Sequence, residues 1–279
     1  RATGYADKII IEDYVGQKID DIQKYNVDVF AIGSDWRGRF DYLEEFCQVV
    51  YLPRTEGISS TMLREKSQKN VRIGILGCGR VAKRFPSEAG FVNGVEIVAA
   101  YDIERHRVAD YSEEFPDVVA YDGLEAFYDA IDAVYVATPH LNHYGNIKEA
   151  LLARKHVLCE KPFTINDKQA QELYRLARDR HLFIMEGLWI WFLPLYDRLH
   201  SILQQGVIGE IKHISCQYGF VATGARKERK FNPALGGGAL LDIGIYNLGF
   251  LRIVTGNEPQ NVETQKVHIN EYGTDDYSC

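Results

Sequence analysis

The segment Gly77-Cys-Gly79-Arg-Val-Ala82 sets two glycines and an alanine at the spacing of a phosphate-cradling turn. In such a turn the first glycine permits a sharp reversal and the second lets the backbone approach a pyrophosphate. The small third residue keeps the following helix close to the preceding strand. A helix N-terminus offers free N–H groups and a positive dipole end, so Gly77, Gly79, Arg80, Val81 and Ala82 suit a dinucleotide phosphate. Asp102 follows 20 residues after Ala82, at the end of the next apolar run. A carboxylate there can accept from a ribose 2′-hydroxyl and repel a 2′-phosphate, so NAD is favoured over NADP. A purely structural turn beside a strand-end Asp uses the same residues, and spacing alone leaves that open.

Lys161 sits in Glu160-Lys161-Pro162, directly after a short apolar run. Ligands of open α/β sheets bind beyond the carboxyl ends of the strands, so its ammonium is expected in the crevice. Asp242 and Tyr246 are four residues apart in a helical pattern and share one face. A nearby ammonium favours a phenolate. Lys161 and Tyr246 can therefore form an acid/base pair for a reaction that moves a hydride and a proton. By spacing alone, Tyr246 fits equally a core tyrosine beside a capping Asp242, and Lys161 a surface strand-end residue. His140 and His143 are three apart in Thr138-Pro-His-Leu-Asn142-His143, but no third metal ligand stands near them, and no metal site is expected. Trp189 and Trp191 read as packing residues.

These residues need a scaffold. Val71–Leu76 is an apolar run leading straight into the glycine turn. Val95–Tyr101, Ala133–Thr138 and His156–Cys159 are further buried strands, with helical patterns at Asn146–Arg154 and Asp167–Arg180. Pro86 should end or kink the first helix. This rhythm implies a parallel sheet covered by helices. After Trp189 the pattern becomes α+β: a helix at Pro194–Gln205, a strand at Ile211–Val221, a helix at Ala239–Thr255 and a strand at Val262–Glu271. Before residue 66, apolar runs at Lys8–Ile11, Val27–Ile32 and Val49–Leu52, with a helix over Gly16–Tyr25, suggest a further parallel α/β unit. Arg64–Asn70 reads as a linker.

The 279 residues carry a net charge of −7, which argues against a nucleic-acid partner. No run of about 18 uncharged apolar residues appears, so no membrane span is expected. Five cysteines at long spacings, with no C-x-x-C pair, speak against a disulfide framework and for a reducing, cytoplasmic compartment. The chain begins at Arg1 and ends at Cys279 within a strand-like stretch, and it reads as a fragment.

From Val71 onward the sequence resembles the Gfo/Idh/MocA oxidoreductases. The residues that carry the resemblance are G-C-G-R-V-A at 77–82, A-T-P-H-L-N-H at 137–143, C-E-K-P-F at 159–163, M-E-G-L-W at 185–189 and G-G-G-A-L-L-D-I-G-I-Y at 236–246. The resemblance implies that Tyr246 is the general acid/base, that Lys161 tunes it and that Asp242 contacts substrate. It also places Thr138, Asn142, His143, Glu160 and Lys161 along the crevice for NAD or NADP, and implies a homo-oligomer built through an open sheet. Relatives commonly carry Arg where this chain has Trp191. Residues 32–43 and 51–61 resemble instead the C-terminal half of a glycerol-3-phosphate cytidylyltransferase-like nucleotidyltransferase, which implies that Arg54, Thr55, Ser59 and Thr61 hold the phosphates of CTP.

The expected fold is thus α/β. A Rossmann dinucleotide-binding domain (70–188) is followed by a truncated α+β open-sheet domain for substrate and oligomerisation (189–279) and preceded by a partial nucleotidyltransferase domain (1–66). The expected activity interconverts a secondary alcohol and a ketone on a sugar, polyol or cyclic diol, in a protein fused to a nucleotidyltransferase module. Two other readings stay open: cytidylyl transfer to an alcohol or polyol phosphate with the second domain as accessory, and a non-enzymatic NAD-binding sensor.

Overall fold

The structure, a computed structural model, describes residue 10 and residues 17–53 and 70–279. The chain divides into two compact units, Arg1–Lys69 and Asn70–Cys279. In the first, Gln17–Tyr25 forms an amphipathic helix (α1) that buries Ile22. It leads into Val29–Gly33 (β1), which pairs in parallel with Gln48–Leu52 (β2). Tyr51 donates from its hydroxyl to Asp41 at 2.6 Å and accepts from the Phe40 N–H, tying the connection to the strand. Arg54, Thr55, Ser59 and Thr61 lie outside the described residues, as does nearly all of the strand expected at Lys8–Ile11.

The second unit opens on Val71–Leu76 (β3). With Val95–Tyr101 (β4), Val119–Ala120 (β5), Ala133–Val136 (β6), His156–Glu160 (β7) and Ile184–Gly187 (β8), it builds a six-stranded sheet in the order β5-β4-β3-β6-β7-β8. Every pairing is parallel. Strand order reverses between β3 and β6, which opens a crevice at their carboxyl ends. Alternation along the strands sorts the core into two layers. Val134, Val136 and Val157 pack with Phe127, Leu151 and Leu173 on one face. Ile75, Ala100 and Tyr135 pack with Ala82, Val108 and Tyr111 on the other. The helices responsible are Arg105–Glu114, Leu124–Asp129, His143–Leu152 and Asp167–Asp179. The element after the glycine turn is a 3-10 turn, Ala82–Arg84, and one short helix, Phe85–Ala89, with Pro86 in its first turn rather than at a kink or an end.

Beyond β8, a 3-10 turn at Trp189–Phe192 leads into the helix Pro194–Gln204. Residues 211–223 form no hydrogen-bonded ladder, so the strand expected at Ile211–Val221 is absent. Alternating apolar residues make a strand only where a neighbour supplies the ladder, and Tyr218, Phe220 and Val221 are exposed. The strand expected over Val262–Glu271 shrinks to Val267–Ile269 (β9), paired antiparallel with Asp275–Ser278 (β10). The expected helix from Ala239 begins as a π-helical turn, Leu240–Gly244, and continues as an α-helix, Ile245–Thr255. By length and composition alone, the helical stretch Pro233–Thr255 is long and apolar enough to cross a membrane, although it carries charged residues. Of its two charged residues, Asp242 is buried and ion-paired with two lysines, and Arg252 is ion-paired with Glu258.

Candidate active site

The candidate residues gather where β3, β4, β6, β7 and β8 end. Gly77 has φ +94°, and a Cβ there would lie 2.8 Å from Thr138 Cγ2 and 2.9 Å from Thr138 N. Only glycine lets the turn after β3 and the loop after β6 come this close. At Gly79 a Cβ would meet nothing within 4 Å. Among the described residues no acceptor takes the N–H groups of Gly79, Arg80 or Val81. Free donors around an open cradle fit a pyrophosphate. Ala82 is fully buried beneath Tyr111, whose hydroxyl donates to the Ala82 carbonyl at 3.1 Å.

Asp102 lies at the end of β4 as expected, but its carboxylate is already engaged. Oδ2 accepts from the Cys78 N–H at 2.8 Å and Oδ1 from the Glu104 N–H at 2.9 Å. The side chain braces the glycine turn from within, and the residue is only 9% exposed. His143, expected to line the crevice, has no exposed surface. Its Nδ1 lies 2.8 Å from the Pro162 carbonyl and its Nε2 2.9 Å from the Thr138 carbonyl. It therefore fastens the loop after β6 to the loop after β7, and burial lowers its pKa. Thr138 is half-buried and receives Asn146 Nδ2 on its hydroxyl at 2.8 Å, while Asn142 is exposed at the start of the following helix. Glu160 accepts from the Tyr135 hydroxyl at 2.6 Å.

Lys161 follows β7, and its peptide bond to Pro162 is cis. Its Nζ donates to the main-chain oxygen of Asp242 at 2.5 Å and to Asp242 Oδ1 at 3.1 Å. It also stands 5.1 Å from the centre of the Tyr246 ring. Asp242 lies in the π-helical turn, a distortion that often marks functional sites. Burial raises its pKa, but the charge of Lys161 and the hydrogen bond from Lys230 outweigh burial and hold the carboxyl below its usual range. The Tyr246 hydroxyl accepts from the indole N–H of Trp189 at 3.2 Å. The phenol departs from the sequence expectation. Burial raises its pKa, the Trp189 bond only partly offsets this, and the charge of Glu160 adds to the rise. Trp189, read as packing, thus touches the Tyr246 hydroxyl. Lys230, which is ion-paired with Asp242, lies in the charged run Arg226–Lys230, whose composition alone suits a solvated helix face. Among the described residues no cluster suited to a metal is found.

Residues 71–188 match the oxidoreductase family with an NAD-binding Rossmann fold. Residues 196–279 match the GFO/IDH/MocA C-terminal domain. The trans-1,2-dihydrobenzene-1,2-diol dehydrogenase of Xenopus tropicalis is 33% identical over 209 residues, covering 73% of this chain and 62% of the relative. A 3-ketoreductase from Actinomadura kijaniata, solved with NADP and TDP-benzene, is 32% identical with a TM-score of 0.62, covering 67% of this chain and 57% of that one. A scyllo-inositol dehydrogenase from Lactobacillus casei, solved with NAD(H) and scyllo-inositol, is 26% identical with a TM-score of 0.61, covering 68% and 57%. The chain thus spans about three fifths of the length of the curated relatives it matches.

These matches correct the reading of residues 1–66. They are to oxidoreductases, the segment 196–279 is the family's own C-terminal domain, and no nucleotidyltransferase is indicated. The cytidylyltransferase-like module falls, and with it the fusion reading, the use of CTP and cytidylyl transfer as an activity. A strand–helix–strand order with parallel pairing serves many α/β proteins, and two short segments could not tell them apart. Over residues 71–279, the chain belongs to the GFO/IDH/MocA oxidoreductase family.

Proposed function

We propose that this protein is an NAD(P)-dependent oxidoreductase that interconverts a secondary alcohol and a ketone on a sugar, polyol or cyclic diol. The observation that carries this reading is the meeting of Lys161, Asp242 and Tyr246 at the mouth of a glycine-turn crevice. NAD(P), when bound, supplies the hydride acceptor or donor. Gly77, Gly79, Arg80, Val81 and Ala82 would hold its phosphates, and the loops bearing Thr138 and Glu160 would flank it. Asn142 is the outermost of these candidates. Tyr246 would take the proton of the alcohol, or return it to the ketone. Lys161 would orient the reacting oxygen and stabilise negative charge as it forms. Asp242 would keep Lys161 in place. Turnover of trans-dihydrobenzene diol, scyllo-inositol and a panel of sugars, followed by nicotinamide absorbance with NAD and with NADP, tests the reading. No turnover of any alcohol by a protein that binds cofactor would favour a sensor.

Cofactor preference is a separate matter. A hydrogen bond to a charged group contributes about 1.5–3 kcal/mol. Asp102 makes two such bonds, one of them to the glycine turn. Asp102→Ala is therefore expected to weaken NAD and NADP alike, by roughly tenfold or more, in a tryptophan-quenching titration. Loss of NAD binding with a gain in NADP would put the carboxylate at the ribose instead.

A further inference from the structure

The reaction centre holds more positive charge than a lysine–aspartate pair can supply. Asp242 has two carboxylate oxygens, and each has its own cation: Oδ1 faces Lys161 at 3.1 Å, and Oδ2 is ion-paired with Lys230. Both lysines are largely withdrawn from water, with side chains 12% and 18% exposed. Lys230 is also held by its backbone. Its carbonyl accepts from the Gly238 N–H at 2.8 Å, and the Gly237 N–H donates to Asn232 at 2.9 Å. A Cβ on Gly237 would lie 2.5 Å from the Lys230 carbonyl oxygen, so the triple glycine is what lets the helix Ala225–Phe231 reach the π-helical turn. His140 secures the same turn through Nδ1, 3.0 Å from the Gly236 carbonyl. The Lys230 ammonium lies 5.4 Å from the centre of the Phe220 ring, which walls off its other side.

A single lysine paired with a single carboxylate is neutral and does little for an oxyanion. Two ammonium groups sharing one carboxylate keep one unit of positive charge beside the phenol. We propose that Lys230 is a positioning residue for the reaction. It closes Asp242 from the side opposite Lys161, so that the carboxylate does not draw Lys161 into a neutral pair and away from Tyr246. The assignment rests on the dehydrogenase reading above. Among the described residues, the other groups facing this cluster are His140, Glu160, Tyr218, Arg229 and Tyr246, together with Asp275, which accepts from the Leu240 N–H at 2.7 Å. Burial lowers the pKa of His140 to about 4, so it adds no charge near neutrality.

The test compares Lys230→Met and Lys230→Arg with the wild-type chain. Lys230→Met is expected to lower kcat by about tenfold to a hundredfold, with KM and the cofactor Kd unchanged, and Lys230→Arg to recover most of the loss. Carbon-13 NMR of aspartate-labelled protein, assigned with Asp242→Asn, reads the same interaction without turnover. The Asp242 titration should rise by about one pH unit in Lys230→Met and stay near wild type in Lys230→Arg. An unchanged Asp242 titration, or a kcat that falls only as far as thermal stability does and is not recovered by Arg, overturns the proposal. If the wild-type chain turns over no alcohol, the dehydrogenase reading fails, while the carboxyl titration still decides whether Lys230 governs Asp242.

Discussion

Tyr246→Phe is expected to cut kcat/KM for alcohol oxidation by about 10²–10⁴-fold, the usual worth of a positioned acid/base group, and to leave cofactor Kd unchanged. The substitution removes one hydroxyl. Among the described residues that hydroxyl accepts from one donor, the Trp189 indole N–H at 3.2 Å, and the ring contacts to Trp189 and Tyr218 survive the change. The fold should therefore hold, and stopped-flow and steady-state rates should separate chemistry from binding. Lys161→Met should lose a comparable factor, with a cost in stability as well. It leaves a carboxylate 4% exposed with one cation instead of two, and breaking a buried pair is more destructive than replacing it whole. Activity within threefold of wild type in both variants would move the acid/base role elsewhere.

The pH dependence follows with a definite sign. Burial raises the Tyr246 pKa above the ordinary phenol value, with Trp189 opposing and Glu160 adding to the rise. The phenol is then protonated across the neutral range. In the reduction direction kcat/KM should be flat through neutrality and fall only as pH rises through the raised pKa. In the oxidation direction it should climb toward that pKa. Asp242 sets the acid side. Its pKa is lowered in the folded chain, so its contribution to stability is present above the unfolded carboxyl value and is lost as pH falls through the folded one.

What could be read from the residues alone was whatever depends on short range. The run Val71–Leu76 ending in Gly-Cys-Gly announces a strand, a turn and a helix start together, because each glycine has a local reason to be there. The helix Asp167–Asp179 likewise matches its pattern, capped by Asn166 accepting from the Gln169 N–H at 3.0 Å. Long-range relations stayed hidden. Asp102 has the position of a ribose ligand, yet it braces the turn 24 residues upstream. His143 has the position of a crevice residue, yet packing turns it inward between two carbonyls. Lys230 sits among charged neighbours and becomes distinctive only because the glycines at 236–238 bring its helix onto Asp242. The strand expected at Ile211–Val221 shows the converse: alternation without a ladder partner is not a strand.

Gly79→Val should abolish measurable cofactor binding while leaving the melting temperature within a few degrees of wild type. The two halves of this expectation come from one observation. A Cβ at Gly79 meets no protein atom within 4 Å, and Gly79 is not among the positive-φ glycines, so valine costs the apo fold little. The same emptiness lies beside the N–H groups of Gly79, Arg80 and Val81, which no acceptor takes among the described residues. A branched side chain there occupies the volume a pyrophosphate needs, and weakening of about a hundredfold or more is expected because the lost contacts are charge-assisted. Gly77→Ala serves as the contrast. Its φ of +94° and the Thr138 atoms at 2.8 and 2.9 Å make the fold itself pay, so thermal stability should drop together with binding. Calorimetric titration of NAD and NADP, paired with thermal circular dichroism, separates the two. Undiminished binding in a fully folded Gly79→Val protein would mean that the phosphates do not lie on this turn, and the cofactor assignment would have to be withdrawn.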